Sequence, residues 1–246
     1  MKEFKILSKN NNNLHVYFKE KSNKDLFILF HGMFGSNDTD SMIQTREYLL
    51  QKNYSVITFD YTGHGKSQGN NSDVRISQII HDKNLIVNHV KKQFKNIYLL
   101  GFSFGAILAI HEASINNSVK GIILFNPVTN ILKLIFRNKT QNDLDNYVKK
   151  HRHVDIITKF KFLVDALKYN LYNDAKKIIC PVYVYHIKND NSVPVKQSHK
   201  LNNFITSKKR FIYPYGSDHG LTKEVQDGSF KKKILPDAVN WIKSLN

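Results

Sequence analysis

Ser103 is the residue whose surroundings point most directly to chemistry. It lies in Gly101-Phe102-Ser103-Phe104-Gly105, a G-x-S-x-G pattern between a strand-like apolar run and a helical one. The sharp turn expected there lifts the serine hydroxyl clear of a sheet, beside helix N–H groups that stabilise negative charge. The pattern therefore predicts a serine nucleophile. The alternative is a serine that only caps a helix in a glycine-rich turn.

A serine hydroxyl needs a base and an orienting acid to act as a nucleophile near neutral pH. Asp190 follows the strand-like run Val182–Ile187, and His219 follows the next run, Arg210–Tyr213. These loop positions predict Asp190 as the acid and His219 as the base. The alternatives are a solvated turn aspartate and a surface histidine. Asp218 is a poor rival, because a sequence neighbour seldom reaches the imidazole in the required geometry.

Acyl-transfer chemistry also requires hydrogen-bond donors for the oxyanion of the tetrahedral intermediate. One donor is expected just after the nucleophile and another in the loop after an earlier strand. The H-G-M-F-G segment from His31 to Gly35 follows the strand-like run Leu26–Phe30. We therefore assign the oxyanion donors to the backbone N–H groups of Met33 and Phe104.

A phosphate-binding loop is suggested by Gly65-Lys66-Ser67 but is not favoured. That motif requires glycine where Asp60 stands, and a carboxylate at that point would repel a phosphate. The residues that follow are turn-like instead of helical. We interpret the segment as a structural turn.

Strand-like runs alternate with helical periodicity along most of the chain, which predicts a mainly parallel, eight-stranded α/β sheet covered by helices on both faces. Asn10–Asn13 is expected to form a hairpin turn between two N-terminal strands. The second of these strands is the strand-like run Leu14–Phe18. The runs after it are Leu26–Phe30, Ser55–Phe59, Ile97–Leu100, Gly121–Phe125, Val182–Ile187 and Arg210–Tyr213. Helical patterns occur at Met42 to Leu50, Ile79 to Val90, Ala106 to Ala113 and Ile234 to Ile242.

The stretch from about residue 129 to 177 breaks this alternation and is rich in Lys, Asn, Phe and Leu. We interpret it as a helical cap inserted into a single domain that spans residues 1–246. Its apolar side chains are expected to pack on the core, and some of them to line a pocket for an apolar substrate group. The pocket candidates are Phe34, Phe136 and Leu167.

Two other groups of residues invite functional interpretations that the sequence does not favour. On a helix, His151 and His153 would point to different faces, and pairing His151 with Asp155 would supply only two ligands, so no metal site is expected. Cys180 precedes a proline at the start of a strand and is expected to be a small buried filler.

The totals limit the classes of protein to which the chain can belong. The 246 residues carry 37 Lys+Arg against 20 Asp+Glu, a formal charge of +17, without any nucleic-acid-binding signature. One cysteine permits no intrachain disulfide, and the longest apolar run is too short to span a membrane. We expect a cytoplasmic protein with no nucleic-acid partner and no stable membrane insertion, and homodimer formation stays open. The charge is either compositional or a means of attracting an anionic substrate.

Taken together, the motifs resemble those of the α/β-hydrolases, in particular small esterases and monoacylglycerol-lipase-like enzymes. The resemblance runs from about Asp25 to the C-terminus. It rests on H-G-x-x-G at His31, D-x-x-G-H-G-x-S at Asp60, the serine turn, D-x-x-V-P at Asp190 and the D-H pair at His219. The order Ser, Asp, His is that of this family. One departure is Ala106, where many relatives have a further glycine.

The resemblance implies a serine hydrolase that cleaves short- to medium-chain carboxylic esters through an acyl-enzyme, without a cofactor or metal. The alternatives are a thioesterase acting on acyl-CoA or acyl-carrier protein, and a non-catalytic α/β-hydrolase that serves as a binding module. A binding role places no demand on Ser, Asp and His together, so the complete set favours catalysis.

Overall fold

The computed structural model describes residues 2–22, 24–70, 74–135 and 156–246. Eight strands form one sheet in the order β1-β2-β4-β3-β5-β6-β7-β8. The strands are β1 Lys2–Leu7, β2 Asn13–Lys19, β3 Asp25–Phe30, β4 Ser55–Phe59, β5 Asn96–Phe102, β6 Val119–Phe125, β7 Val182–Tyr185 and β8 Lys209–Ile212. Strand β2 pairs antiparallel with β1 and β4, and the remaining pairs are parallel. The predicted fold class is confirmed.

Helices cover both faces of the sheet. They are α1 Asp40–Gln51, α2 Ile76–Val90, α3 Gly105–Ile115, α4 Ile131–Ile135, α5 Ile156–Ala166, α6 Leu171–Ala175, α7 Lys196–Phe204, α8 Thr222–Gln226 and α9 Leu235–Lys243. A single π-helical turn, Phe230–Ile234, leads into α9. In the parts of the chain that the structure describes, no helix is long and apolar enough to cross a membrane.

The two faces of β3 show why its apolar run is continuous. Leu26, Ile28 and Phe30 pack in one core cluster with α2 and α3, whereas Phe27 and Leu29 pack in the other with α1 and α9. Successive strand side chains point to opposite faces, so a strand covered on both sides needs an apolar residue at every position. This arrangement places the carboxyl ends of the parallel strands at one edge of the sheet, where β3, β5, β7 and β8 run into the loops of the candidate site.

The bounds of most elements differ from the predictions by one to three residues, and some differences are larger in kind. The N-terminal turn is a 3₁₀ turn at Lys9–Asn11 instead of Asn10–Asn13, and Asn13 already belongs to β2. Strand β7 ends at Tyr185, two residues early, and β8 spans Lys209–Ile212. The sequence patterns predict neither α7 nor α8. Helix α7 buries only Gln197, Ser198 and Leu201 and therefore lacks an apolar stripe. Of the predicted cap, the described residues form α4, α5 and α6, and the cap as a unit stays a prediction.

Glycine is required where β5 turns into α3. A Cβ on Gly105 would lie 2.2 Å from the Phe30 carbonyl oxygen, and a Cβ on Gly101 would lie 2.6 Å from the Gly105 carbonyl carbon. Both neighbours are backbone atoms, which cannot rotate away. The close contacts of the start of α3 with the ends of β3 and β5 therefore depend on the absence of these side chains.

Gly105→Ala is expected to lower the free energy of unfolding by about 3 kcal/mol, at the upper end of the range for overpacked cores. Chemical denaturation of the two proteins would measure the difference. Gly220→Ala is the matched control, because its Cβ would meet only Thr222 Oγ1 at 3.4 Å and Asp218 Oδ1 at 3.5 Å. Equal losses of stability in the two variants would contradict the packing argument.

Candidate active site

Ser103 occupies the turn between β5 and α3 with a positive φ of 51°. This left-handed conformation is unfavourable for a residue with a Cβ, and such strain is typical of functional positions. The Ser103 N–H donates to the Phe125 carbonyl oxygen at 2.9 Å, which fixes the turn against β6. The half-buried hydroxyl is thereby held above the carboxyl edge of the sheet.

The structure brings Ser103, His219 and Asp190 into one chain of hydrogen bonds. Ser103 Oγ lies 2.7 Å from His219 Nε2, and His219 Nδ1 lies 2.6 Å from Asp190 Oδ2. A carboxylate oxygen can only accept, so Nδ1 carries the ring hydrogen and Nε2 is left to accept the serine proton. The arrangement matches the geometry of a serine nucleophile with a base and an orienting acid.

The Asp190 carboxylate is buried, and both of its oxygens accept hydrogen bonds. Its Oδ1 accepts from the N–H groups of Ser192 and Val193, each at 2.8 Å. Burial alone would raise the pKa of the Asp190 carboxyl, but hydrogen bonds from His186 and His219 outweigh it and hold the pKa well below its usual range. Asp190 is therefore ionised at neutral pH, as an acid that orients an imidazole must be.

His186 is a neighbour of this carboxylate that the sequence patterns did not single out. Its ring is fully buried, with Nε2 2.9 Å from the Val193 carbonyl oxygen and 3.4 Å from Asp190 Oδ2. Both neighbours of Nε2 are acceptors, so Nε2 carries a hydrogen, and Nδ1 lies 2.7 Å from the Ser198 hydroxyl. His186 thus contacts both ends of the 190–193 loop and holds the loop in place. Its only sequence signal is that a polar residue interrupts the apolar run Val182–Ile187.

The loop after β3 lies beside Ser103. A Cβ on Gly32 would be 3.4 Å from Ser103 Cβ, and the Gly35 N–H donates to the Gly32 carbonyl oxygen at 3.0 Å, which tightens the loop into a turn. The backbone N–H groups of Met33 and Phe104, the predicted oxyanion donors, make no hydrogen bond to any other residue that the structure describes. Both groups therefore have the capacity to bind an oxyanion.

His31 supports that loop from the buried side. Its ring stacks on Tyr61 with centroids 3.9 Å apart, and its Nδ1–H donates to the Gly32 carbonyl oxygen at 2.8 Å. The Tyr61 hydroxyl donates to the His31 carbonyl oxygen at 2.7 Å. Burial lowers the pKa of His31 to about 3, so the ring is neutral in the folded protein at ordinary pH.

This burial predicts a specific loss of stability in acid. In the unfolded chain His31 titrates near its ordinary pKa of 6.5. Between about pH 6.5 and 3, the His31 ring is therefore protonated in the unfolded state and neutral in the folded state. The contribution of His31 is complete above pH 6.5 and is lost as pH falls. His31→Asn, which keeps a donor but does not titrate, should reduce the slope of unfolding free energy between about pH 4 and 6 by about 1.4 kcal/mol per pH unit. Urea denaturation at several pH values measures the slope, and equal slopes would refute a buried neutral His31.

The Asp60 segment is a structural turn, as the sequence predicts. Asp60 Oδ1 accepts from the Asn37 N–H at 2.6 Å, and Oδ2 accepts from the Lys66 N–H at 2.9 Å. Gly65 has a φ of +50°, and a Cβ there would lie 2.3 Å from Asp60 Oδ2. The loop folds around a carboxylate where a phosphate-binding loop would hold a phosphate.

The structure places the described pocket candidates and Cys180 in different environments. Phe34 is half exposed and has a φ of 59°. The centroid of its ring lies 6.1 Å from that of the His64 ring. Leu167 is 64% exposed and lines a cavity of about 310 Å³. Phe136 lies outside the described residues. Burial raises the pKa of the Cys180 thiol to about 12, in keeping with an unreactive filler.

A metal centre is not evident among the described residues. No group of three or more His, Cys, Asp or Glu side chains there is arranged to hold an ion. His151 and His153 lie outside the described residues.

Comparison with known proteins places this chain in a family. The family model described as serine aminopeptidase, S33, matches residues 21–153, more than half of the chain. The chain belongs to this family of α/β-hydrolases. The matched residues include the His31–Gly35 loop and Ser103, whereas Asp190 and His219 lie beyond them.

Curated relatives of this S33-family chain are named as lipases or esterases. Zebrafish (Danio rerio) lysophosphatidylserine lipase ABHD12 is 25% identical over 201 residues, covering 77% of this chain and 49% of that protein. A putative esterase/lipase 2 of Mycoplasma genitalium is 28% identical over 159 residues, covering 62% and 57%. The chain therefore spans about half the length of these relatives.

Solved structures share the fold of this S33-family chain. Est1E from Butyrivibrio proteoclasticus, solved with ferulic acid, has a TM-score of 0.74 at 17% identity, covering 95% of this chain and 98% of that one. The Pyrococcus furiosus esterase Pf2001 has a TM-score of 0.74 at 21% identity, covering 96% and 89%. At these identities the similarity establishes the α/β-hydrolase fold alone.

Proposed function

We propose that the chain is a serine hydrolase that cleaves carboxylic esters through an acyl-enzyme. The observation that carries the proposal is the continuous hydrogen-bonded chain from Ser103 Oγ through His219 to Asp190, with distances of 2.7 and 2.6 Å. Ligand binding alone does not require a strained serine that is hydrogen-bonded to an imidazole and, through it, to a buried carboxylate. The names of the lipase and esterase relatives support the same reaction class.

In the first half-reaction, His219 Nε2 takes the proton of Ser103 as Oγ attacks the ester carbonyl carbon. The Asp190 carboxylate stabilises the imidazolium that forms and keeps its orientation. The N–H groups of Met33 and Phe104 donate to the oxyanion of the tetrahedral intermediate. Collapse of that intermediate breaks the bond to the alcohol oxygen, which receives the proton from His219.

In the second half-reaction, water replaces the alcohol. His219 removes a proton from the water as it attacks the acyl-enzyme, and a second oxyanion forms between the same two donors. The carboxylic acid then leaves Ser103, which regains its proton from His219. The reaction needs no group beyond the side chains and N–H groups named here.

The acyl group is proposed to enter a cavity that is lined in part by residues of the stretch predicted as the cap. Its lining includes Ile107, which lies one turn of α3 beyond Ser103, and Leu132, Leu167 and Leu171. A volume of about 310 Å³ lies at the lower end of the range for small-molecule sites. The size of the cavity and the leucine and isoleucine side chains in its lining favour a short- to medium-chain acyl group.

Leu167→Ala should shift the acyl-length preference toward longer chains and change kcat on an acetyl ester little. Burial of one further methylene group of the substrate is worth about 1 kcal/mol of discrimination, or roughly fivefold in kcat/KM. A series of p-nitrophenyl esters of increasing chain length measures the effect. Ile179→Ala is the matched control, because Ile179 is equally exposed at 65% but does not line the cavity. An identical shift in both variants would contradict the pocket assignment.

A thioesterase is the second candidate, and two observations favour it. The chain has a formal charge of +17, and Lys200 lines the cavity with its Nζ 4.5 Å from the Tyr172 ring centroid. A cation there would attract the phosphates of an acyl-CoA. Electrostatic steering acts on association, so it raises kcat/KM and fades as salt shortens the Debye length.

The two candidates are separated by comparing an acyl-CoA with a neutral ester of the same acyl chain between about 20 and 300 mM salt. The ester proposal predicts a higher kcat/KM for the neutral ester at every salt concentration. A preference of roughly tenfold or more for the acyl-CoA at low salt, shrinking steeply with added salt, would assign the chain as a thioesterase. An aminoacyl-p-nitroanilide in the same series tests for peptidase activity, which the family description suggests.

A further inference from the structure

Asn126 follows the last residue of β6 and is buried between the loops that carry Asp190 and His219. Its Oδ1 accepts from the Ile187 N–H at 2.9 Å, and its Nδ2 donates to the His219 carbonyl oxygen at 2.7 Å. The partners fix the orientation of the amide, because Ile187 offers a donor and His219 an acceptor. One side chain therefore joins the loop of the acid to the backbone of the base.

The backbone around Asn126 extends the same connection. The Asn126 N–H donates to the Tyr185 carbonyl oxygen at 2.8 Å, and the preceding carbonyl, that of Phe125, accepts from the Ser103 N–H at 2.9 Å. Two consecutive residues thus bond to all three segments that carry Ser103, Asp190 and His219. A φ of 44° at Asn126 lies in the left-handed region, where asparagine is among the few tolerated residues with a side chain.

We propose that Asn126 is a positioning residue of the hydrolase, which sets the position of the His219 ring between Ser103 and Asp190 by holding the His219 carbonyl at a fixed distance from the acid loop. The proposal rests on the proposed serine-hydrolase function. Asn126 contacts no reacting atom, and its effect passes through the backbone of His219. A displacement of a catalytic group by about 1 Å can cost about 100-fold in rate.

Two substitutions separate the side chain from the backbone conformation. Asn126→Gly removes both amide hydrogen bonds, and glycine adopts a φ of 44° without strain. Asn126→Asp keeps the size, the left-handed tolerance and the acceptor for Ile187, but turns an oxygen instead of an N–H towards the His219 carbonyl. Asn53→Gly is the matched control, since Asn53 also has a positive φ, 61°, in the turn after α1.

Both Asn126 variants are expected to lower kcat by about 10- to 100-fold with little change in KM, and to slow fluorophosphonate labelling of Ser103 by the same factor. The measurements are made well below the unfolding temperature of each variant. Asn53→Gly should leave both rates at the wild-type value. If Asn126→Gly lowers only the unfolding temperature and labels at the wild-type rate, Asn126 is merely structural and the proposal is overturned.

A spectroscopic readout separates this proposal from the function on which it rests. The Nδ1 hydrogen shared by His219 and Asp190 should give a low-field proton NMR resonance in the wild type, which Asp190→Asn removes. We expect Asn126→Gly to shift or broaden it and Asn53→Gly to leave it unchanged. Absence of Ser103 labelling in the wild type would count against the hydrolase function. An unshifted resonance in Asn126→Gly would count against the role of Asn126 whatever the activity.

Discussion

Replacing Ser103 by Ala is expected to lower kcat for p-nitrophenyl acetate by roughly 10⁴- to 10⁶-fold, the scale on which removal of a triad member acts elsewhere. The reason is that Oγ forms the covalent bond to the acyl group, and no other group in the site replaces it. His219→Ala should cause a similar loss, because an unassisted serine hydroxyl is a weak nucleophile. The double variant should be hardly worse than either single one, since the two residues act as a unit.

The matched control for this prediction is Ser114→Ala. Ser114 lies on α3, the helix that Ser103 precedes, and its hydroxyl donates to the His111 carbonyl oxygen at 2.8 Å. This variant should keep wild-type turnover. Retention of wild-type turnover in Ser103→Ala would overturn the mechanism outright.

Asp190→Asn carries the second largest expected effect, a loss of roughly 10⁴-fold in kcat. An amide donor beside His219 Nδ1 favours the tautomer in which Nδ1 accepts and Nε2 carries the hydrogen, so that Nε2 no longer accepts the Ser103 proton. The loss should be smaller than that of Ser103→Ala, because the serine, the imidazole and the oxyanion donors remain. Initial rates on the same acetyl ester measure it.

Asp218→Asn is the control for the acid. Asp218 adjoins His219 in sequence, but its Oδ1 accepts from the Thr222 N–H at 2.9 Å at the start of α8. Its replacement should leave kcat near the wild-type value. A larger loss from Asp218→Asn than from Asp190→Asn would reassign the acid.

The candidate site was predictable where local signals and strand order coincide. Ser103 could be recognised from glycines flanking a strand-to-helix turn, and the contacts that a Cβ on Gly101 or Gly105 would make explain why those glycines are there. Asp190 and His219 could be chosen because parallel strands end at one edge of a sheet, so loops far apart in sequence converge. The convergence of the three loops could thus be predicted from the sequence, but the distances between Ser103, His219 and Asp190 could not.

The supporting residues could not be predicted, because their roles come from contacts across the fold. His186 directly follows β7 and Asn126 directly follows β6, at ordinary strand-to-loop junctions, so neither carries a local motif. Their partners Ser198, Val193 and His219 lie up to 93 positions away along the chain. Helix α7 was missed for a related reason, since its buried residues include polar Gln197 and Ser198, whose hydrogen bonds with Thr129 and His186 replace an apolar stripe.

The most direct test of the central claim, that Ser103 is an activated nucleophile, is fluorophosphonate labelling of the native protein followed by peptide mass spectrometry. A fluorophosphonate reacts with a serine only where a base takes its proton and donors stabilise the charge that develops at phosphorus. We expect one adduct per chain, on the peptide containing Ser103, and none in Ser103→Ala or in the heat-denatured protein. Absence of an adduct on the native protein, or an adduct on another serine that persists in Ser103→Ala, would contradict the claim.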